Sequence, residues 1–166
     1  MTTRPSQNHP CLLFLVALLG GLLVVPHIQA QAVPTVIAGG GVIGSPCNAD
    51  GTSALGTKLS GTTPLAVDLQ GNLFFAETCL GASLVRRIDA STGLLSTVAG
   101  KFPAVYTPPV NPSGDGGPAT EAVLLGATTI AVGPEGDLYI ASINKQIRMV
   151  SGATGTITTY AGIPYA

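Results

Sequence analysis

Histidine, tryptophan and charge are what this sequence has least of. Tryptophan is absent, the two histidines are His9 and His27, and only 9% of the residues are charged. Beyond His27 no imidazole is available as a general base or zinc ligand. Seven Lys and Arg stand against eight Asp and Glu. The chain therefore lacks the basic stripe with which nucleic-acid binders neutralise phosphates, and it has no electrostatic pull towards anionic membrane surfaces. Long apolar runs are equally scarce. Cys11–Val25 is the longest, at fifteen residues, short of the ~18 to 20 that span a bilayer as a helix. Asn111-Pro112-Ser113 carries the proline that disqualifies it as a glycosylation acceptor.

What is present begins with a leader. Arg4 supplies a positive n-region, Cys11–Val25 an uncharged apolar core, and Ala30-Gln31-Ala32 a small-x-small cleavage signal. The expected organisation is a signal peptide over 1–32 and a mature chain from Val33, with cleavage after Ala30 as the near alternative. The expected location is outside the cell, or the periplasm of a Gram-negative host. Removal of the leader takes His9, His27 and Cys11 with it, leaving Cys47 and Cys79. In an oxidising compartment an even count makes a Cys47–Cys79 disulfide the default, and two separate buried thiols the alternative.

The mature part repeats itself. Asp50-Gly51 recurs as Asp115-Gly116, Leu59 as Leu124, and Gly71-Asn72-Leu73 as Gly136-Asp137-Leu138, all at an offset of 65. After a three-residue contraction between Ala76 and Arg86 the offset is 62: Arg86 matches Arg148, Thr92-Gly93 matches Thr154-Gly155, and Val98-Ala99-Gly100 matches Tyr160-Ala161-Gly162. Short apolar runs separated by turn residues every eight to twelve positions are the spacing of β-strands. They predict strands at Pro64–Asp68, Asn72–Glu77, Leu84–Asp89 and Leu94–Ala99, then Thr129–Val132, Asp137–Ser142, Gln146–Val150 and Thr156–Ala161. Gln70-Gly71-Asn72 and Glu135-Gly136-Asp137 close the first hairpin of each copy with residues that tolerate positive φ.

The stretch DGGPATEAVLLGATTIAVGPEGDLYIASINKQIRMVSGATGTITTYAG at Asp115–Gly162 resembles the NHL-repeat family of β-propellers, and Asp50–Gly100 resembles a more diverged copy. The resemblance implies an all-β fold: an incomplete propeller over 33–166, with blades at 59–100 and 124–162 and an inter-blade linker at 101–123. Thr35-Val36-Ile37-Ala38-Gly39 matches the closing strands at Thr97–Gly100 and Thr159–Gly162, so 35–39 reads as an extra outer strand without its blade. Two blades fall below the ~4 to 8 that close a propeller. The expectation is a portion of a longer propeller, with further blades in cis. Self-association in trans into a six-bladed trimer, or docking on another protein's blades, are the alternatives.

Some six-bladed relatives are lactonases, esterases or amidating lyases that hold calcium or zinc with histidines, asparagines and carboxylates. In this chain Asn144-Lys145-Gln146 and Ala82-Ser83-Leu84 replace the family's histidine-bearing tripeptide. Asp68 and Glu77 are the remaining strand-end carboxylates. They lack a calcium-loop pattern and read as solvated acids. Asp50-Gly51 and Asp115-Gly116-Gly117 read as linker turns. Arg86 and Arg87, on opposite strand faces, read as surface or inter-blade ion pairs. The expected function is a non-enzymatic interaction module with no catalytic, cofactor or metal site. It would bind a protein or small extracellular ligand through the loops Cys79–Ser83 and Ile143–Gln146, with Ser83, Asn144 and Lys145 as candidate contacts. The alternative is a part of a calcium-dependent hydrolase or lyase whose active residues lie on other blades. Cys47, in the linker, and Cys79, in a hairpin connection, emerge on the same side of such a meander, which permits their bridge.

Overall fold

The computed structural model describes residues 34–41, 50–79, 82–101 and 113–163. These residues form two antiparallel four-stranded meanders. The first contains β1 (Thr62–Val67), β2 (Leu73–Cys79), β3 (Ala82–Ile88) and β4 (Leu95–Ala99), and the second β5 (Ala127–Val132), β6 (Leu138–Ser142), β7 (Ile147–Val150) and β8 (Ile157–Ala161). The eight strands lie within a few residues of the positions expected from the apolar runs. Among the described residues the only helix is a 3-10 turn at Ala119–Glu121.

The registers explain the two offsets. Ala76 pairs with Val85 in the first sheet, and Ala141 with Ile147 in the second. The three-residue contraction therefore falls in the β2–β3 and β6–β7 hairpins. In the first sheet the ladder continues to Cys79↔Ala82. The segment expected to be an open loop, Cys79–Ser83, is thus strand on both sides of a connection at 80–81 that lies outside the described residues. In the second sheet the ladder stops earlier and the chain turns through 143–146, where Lys145 adopts a left-handed φ of 64°. Both sheets slip register at equivalent points, Val85/Arg86 and Ile147/Arg148.

The sheets pack face to face, with β1 against β5 and the 3-10 turn against β4. Phe74, Val85 and Ala99 from the back of the first sheet meet Ile130, Ile140 and Ile157 from the front of the second in one core. Strand alternation puts these side chains on a single face of each sheet. The linker expected at 101–123 contributes to this seam: Ala119, Ala122 and Val123 are buried, while 102–112 lie outside the described residues.

Residues 34–41 correct one expectation. No strand ladder forms over 35–39, although Gly39 keeps the position expected of it. Its N–H donates to Ala54 O at 3.0 Å, as Gly100 donates to the equivalent Ala119 O at 2.9 Å. Gly39, Gly100 and Gly162 have φ of 81°, 93° and 93°, a region open to glycine at no steric cost. At Gly100 a Cβ would also fall 2.4 Å from Ser83 O, and at Gly162 2.6 Å from Lys145 O.

Candidate functional site

Three carboxylates that the sequence suggested as solvated or turn-forming residues are bound up with arginines. Arg86 is fully buried and donates to Asp50 Oδ1 at 2.6 Å and to Glu77 Oε2 at 3.4 Å. Glu77 is also fully buried, and its Oε1 accepts the Ser60 N–H at 2.7 Å. Glu77 reads in the sequence as a solvated acid and is instead buried, while Arg86, read as a surface or inter-blade ion pair, is ion-paired within its own unit and buried. A desolvated carboxylate and a desolvated guanidinium tolerate burial because each supplies the other's counter-charge. The second unit repeats the arrangement: Arg148 donates to Asp115 through Nε at 3.0 Å and also through Nη2.

Each aspartate further ties the outer strand to the linker. Asp50 accepts from Thr97 N–H and hydroxyl, both at 3.0 Å, and Asp115 accepts from the equivalent Thr159 groups. Burial pushes the Asp115 carboxyl up, but the Thr159 hydroxyl and Arg148 outweigh it and hold the group below the usual carboxylate range. The Asp-Gly of each linker is thus an ionic anchor as well as a turn. Asp68 is likewise committed to its own hairpin. It accepts from Gln70 N–H, Asn72 N–H and Asn72 Nδ2. Burial opposes its ionised form, yet the bonds from Asn72 prevail and lower its pKa.

Arg87 faces the other side of β3 and pairs with Asp89 at 2.7 Å, half-buried. That separation of neighbouring arginines onto two faces is what strand alternation requires.

The residues expected to contact a ligand are not brought together on one open surface. Ser83 is buried: its N–H donates to Leu124 O at 3.0 Å and its hydroxyl accepts the Ala127 N–H at 3.2 Å, stitching the sheets together. Asn144 donates to Gln146 within its own turn, and Lys145 is exposed. Cys47 lies outside the described residues, so its pairing with Cys79 is left to experiment.

The surface that stands out instead is the front of the first sheet. Ala54, Phe75, Ile88 and Leu95 form a small core there, with Leu59 and Leu73 packed against it. By the repeat offsets these match Ala119, Ile140, Val150, Ile157, Leu124 and Leu138, all of which are buried in the inter-sheet core. In the second sheet that core is covered by the back of the first sheet. In the first sheet, among the described residues, the 36–38 segment alone lies over it, leaving an apolar cavity of about 210 Å³ lined by Val36, Ile37, Leu59, Leu65, Phe75 and Ile88 among others. Leu65 is 62% exposed, whereas its counterpart Ile130 is 5% exposed.

Among the described residues no group of three or more His, Cys, Asp or Glu side chains is placed to hold a metal ion, and no helix is long and apolar enough to cross a membrane. Compared with known proteins, the chain matches no family model and no curated protein.

Proposed function

We propose that this chain is an exported, non-enzymatic interaction module of NHL propeller type, recognising a protein partner through an open sheet face. The observation that carries the reading is the pair Leu65 and Ile130. The same apolar position is sealed where a neighbouring sheet covers it and open where none of the described residues forms one. Apolar faces left open on a β-sheet mark interaction sites, since they gain by being covered. The expected contact surface moves accordingly, from the hairpin loops to the front of β1–β3.

The commitments of the carboxylates support the absence of chemistry. Glu77 and Asp50 neutralise Arg86, Asp115 neutralises Arg148, and Asp68 caps its own turn. Each would have to abandon a structural partner to bind a cation or move a proton.

The test is calcium titration by calorimetry, together with esterase and lactonase assays on the purified protein. The module reading expects neither stoichiometric calcium binding nor turnover. Calcium bound at one equivalent with measurable turnover would overturn it in favour of a hydrolase or lyase.

A further inference from the structure

We infer that the open front face of the first sheet is a docking site for the back face of the second sheet of another copy of this chain, giving head-to-tail assembly. This deepens the interaction-module reading and rests on it, naming the partner as the chain itself.

The chain already makes this interface once, within itself. The back of the first sheet presents Ala66, Phe74, Val85 and Ala99 to the front of the second. At the same offsets the back of the second sheet carries Ala131, Tyr139, Ile147 and Ala161. Each replacement keeps the residue class: alanine for alanine, one ring for another, one β-branched residue for another. Among the described residues no sheet covers these positions. Val85 is 0% exposed and its counterpart Ile147 is 39% exposed, while Tyr160, in place of Val98, is 63% exposed and packs edge-on against Tyr139 at 5.2 Å. The described residues therefore display both halves of a seam whose intact form they also contain.

The polar part of the seam is duplicated as well. Within the chain, Gly100 N–H donates to Ala119 O and Lys101 N–H to Ala122 O, both at 2.9 Å. The equivalent donors at the far end are Gly162 and Ile163, and the equivalent acceptors at the near end are Ala54 and Thr57. Gly162 already has the required φ of 93°.

The 34–41 segment is the obstacle, and its placement is informative. Gly39 sits on Ala54 O in the seat that Gly162 of a docking copy would take. The segment forms no strand ladder and leaves Val36 and Ile37 63% and 62% exposed. A docking sheet exchanges its hydrogen bond like for like and adds an apolar face that the segment cannot supply. Such contacts are heterologous, with different surfaces on the two sides, and they grow until a ring closes or continue as a chain.

Two substitutions at exposed positions test this without touching the folded core. Leu65→Asp disables the front and Ile147→Asp the back, and far-UV circular dichroism checks that each variant folds. Sedimentation of the wild type should show mass rising above the monomer with concentration. Each variant alone should associate about 100-fold more weakly, because a carboxylate is then buried in an apolar seam. Mixed together, the two should form a 1:1 dimer, since each retains the half the other has lost. A wild type that stays monomeric at high concentration overturns self-docking while leaving the module reading intact, which fails only on calcium-dependent turnover. Assembly that survives Ile147→Asp, or a mixture that forms no heterodimer, also overturns it by showing a front-to-front or unrelated contact.

Discussion

Replacing Arg86 by methionine removes the guanidinium from between Asp50 and Glu77. The two carboxylates are left in different situations. The Asp50 side chain is 55% exposed and keeps water and Thr97, whereas the Glu77 side chain is 1% exposed and keeps only the Ser60 N–H among the bonds described. An ion stranded in the interior by loss of its partner costs about 3 to 5 kcal/mol. The equivalent change Arg148→Met strands Asp115, which is 39% exposed and retains Thr159, so the expected cost is lower, about 1 to 3 kcal/mol. Urea unfolding at neutral pH, followed by far-UV circular dichroism, measures both. Against a total stability of roughly 5 to 15 kcal/mol, the Arg86 variant should lose a large share. Adding Glu77→Leu to Arg86→Met should recover most of the loss, because an apolar pair of similar volume does not need a counter-charge. Equal costs at the two arginines, or no recovery in the double variant, would refute the claim that the buried Glu77 charge sets the difference.

Gly100→Ala should destabilise by about 1 to 3 kcal/mol, since it combines a strained φ with a Cβ pressed onto Ser83 O. Gly93→Ala, at φ 68° with open space around it, should lose only about 1 kcal/mol, and thermal unfolding compares the two. Acid titration gives a third check. The Ser91 hydroxyl and then the Thr92 N–H hold the Asp89 carboxyl down at about 2. A carboxyl lowered by folding stabilises fully above its unfolded value near ~4 and loses that contribution as pH falls through the folded one. Asp68 and Asp115, also lowered, act in the same direction. Stability should therefore decline between about pH 4 and 2, and Asp89→Asn should flatten the decline. Finally, the mass of the exported protein should start at Val33 and rise by two hydrogens on reduction; an unchanged mass sinks the Cys47–Cys79 bridge.

The parts of this structure that were legible in the sequence are those set by local periodicity. Turn residues such as Gly71 and Gly136 bound apolar runs of strand length, and the two offsets located the shortened hairpin before any register was seen. Burial of charge was not legible, because a glutamate at a strand end carries no mark of its surroundings. Glu77 reads as solvated until Arg86 is seen diagonally opposite it on the neighbouring strand, with Asp50 reaching Arg86 from a linker 36 residues away. A signal was nevertheless present. Asp50, Arg86 and Thr97 recur as a set at Asp115, Arg148 and Thr159, and a polar trio repeated in step with the strands points to mutual contact.

The candidate surface escaped for a different reason. Leu65 and Ile130 are the same kind of residue at the same point of the same unit, so any rule that reads burial from residue type must give them the same answer. Their exposures differ by 62% against 5% because burial in a repeat array depends on which neighbour is present. Among the described residues the two sheets share one complete seam, and that seam satisfies the pattern written into both copies. The apolar residues of the open halves were selected by the same alternation that built the closed one, which is why the repeat itself, more than any single motif, indicates what these surfaces are shaped to meet.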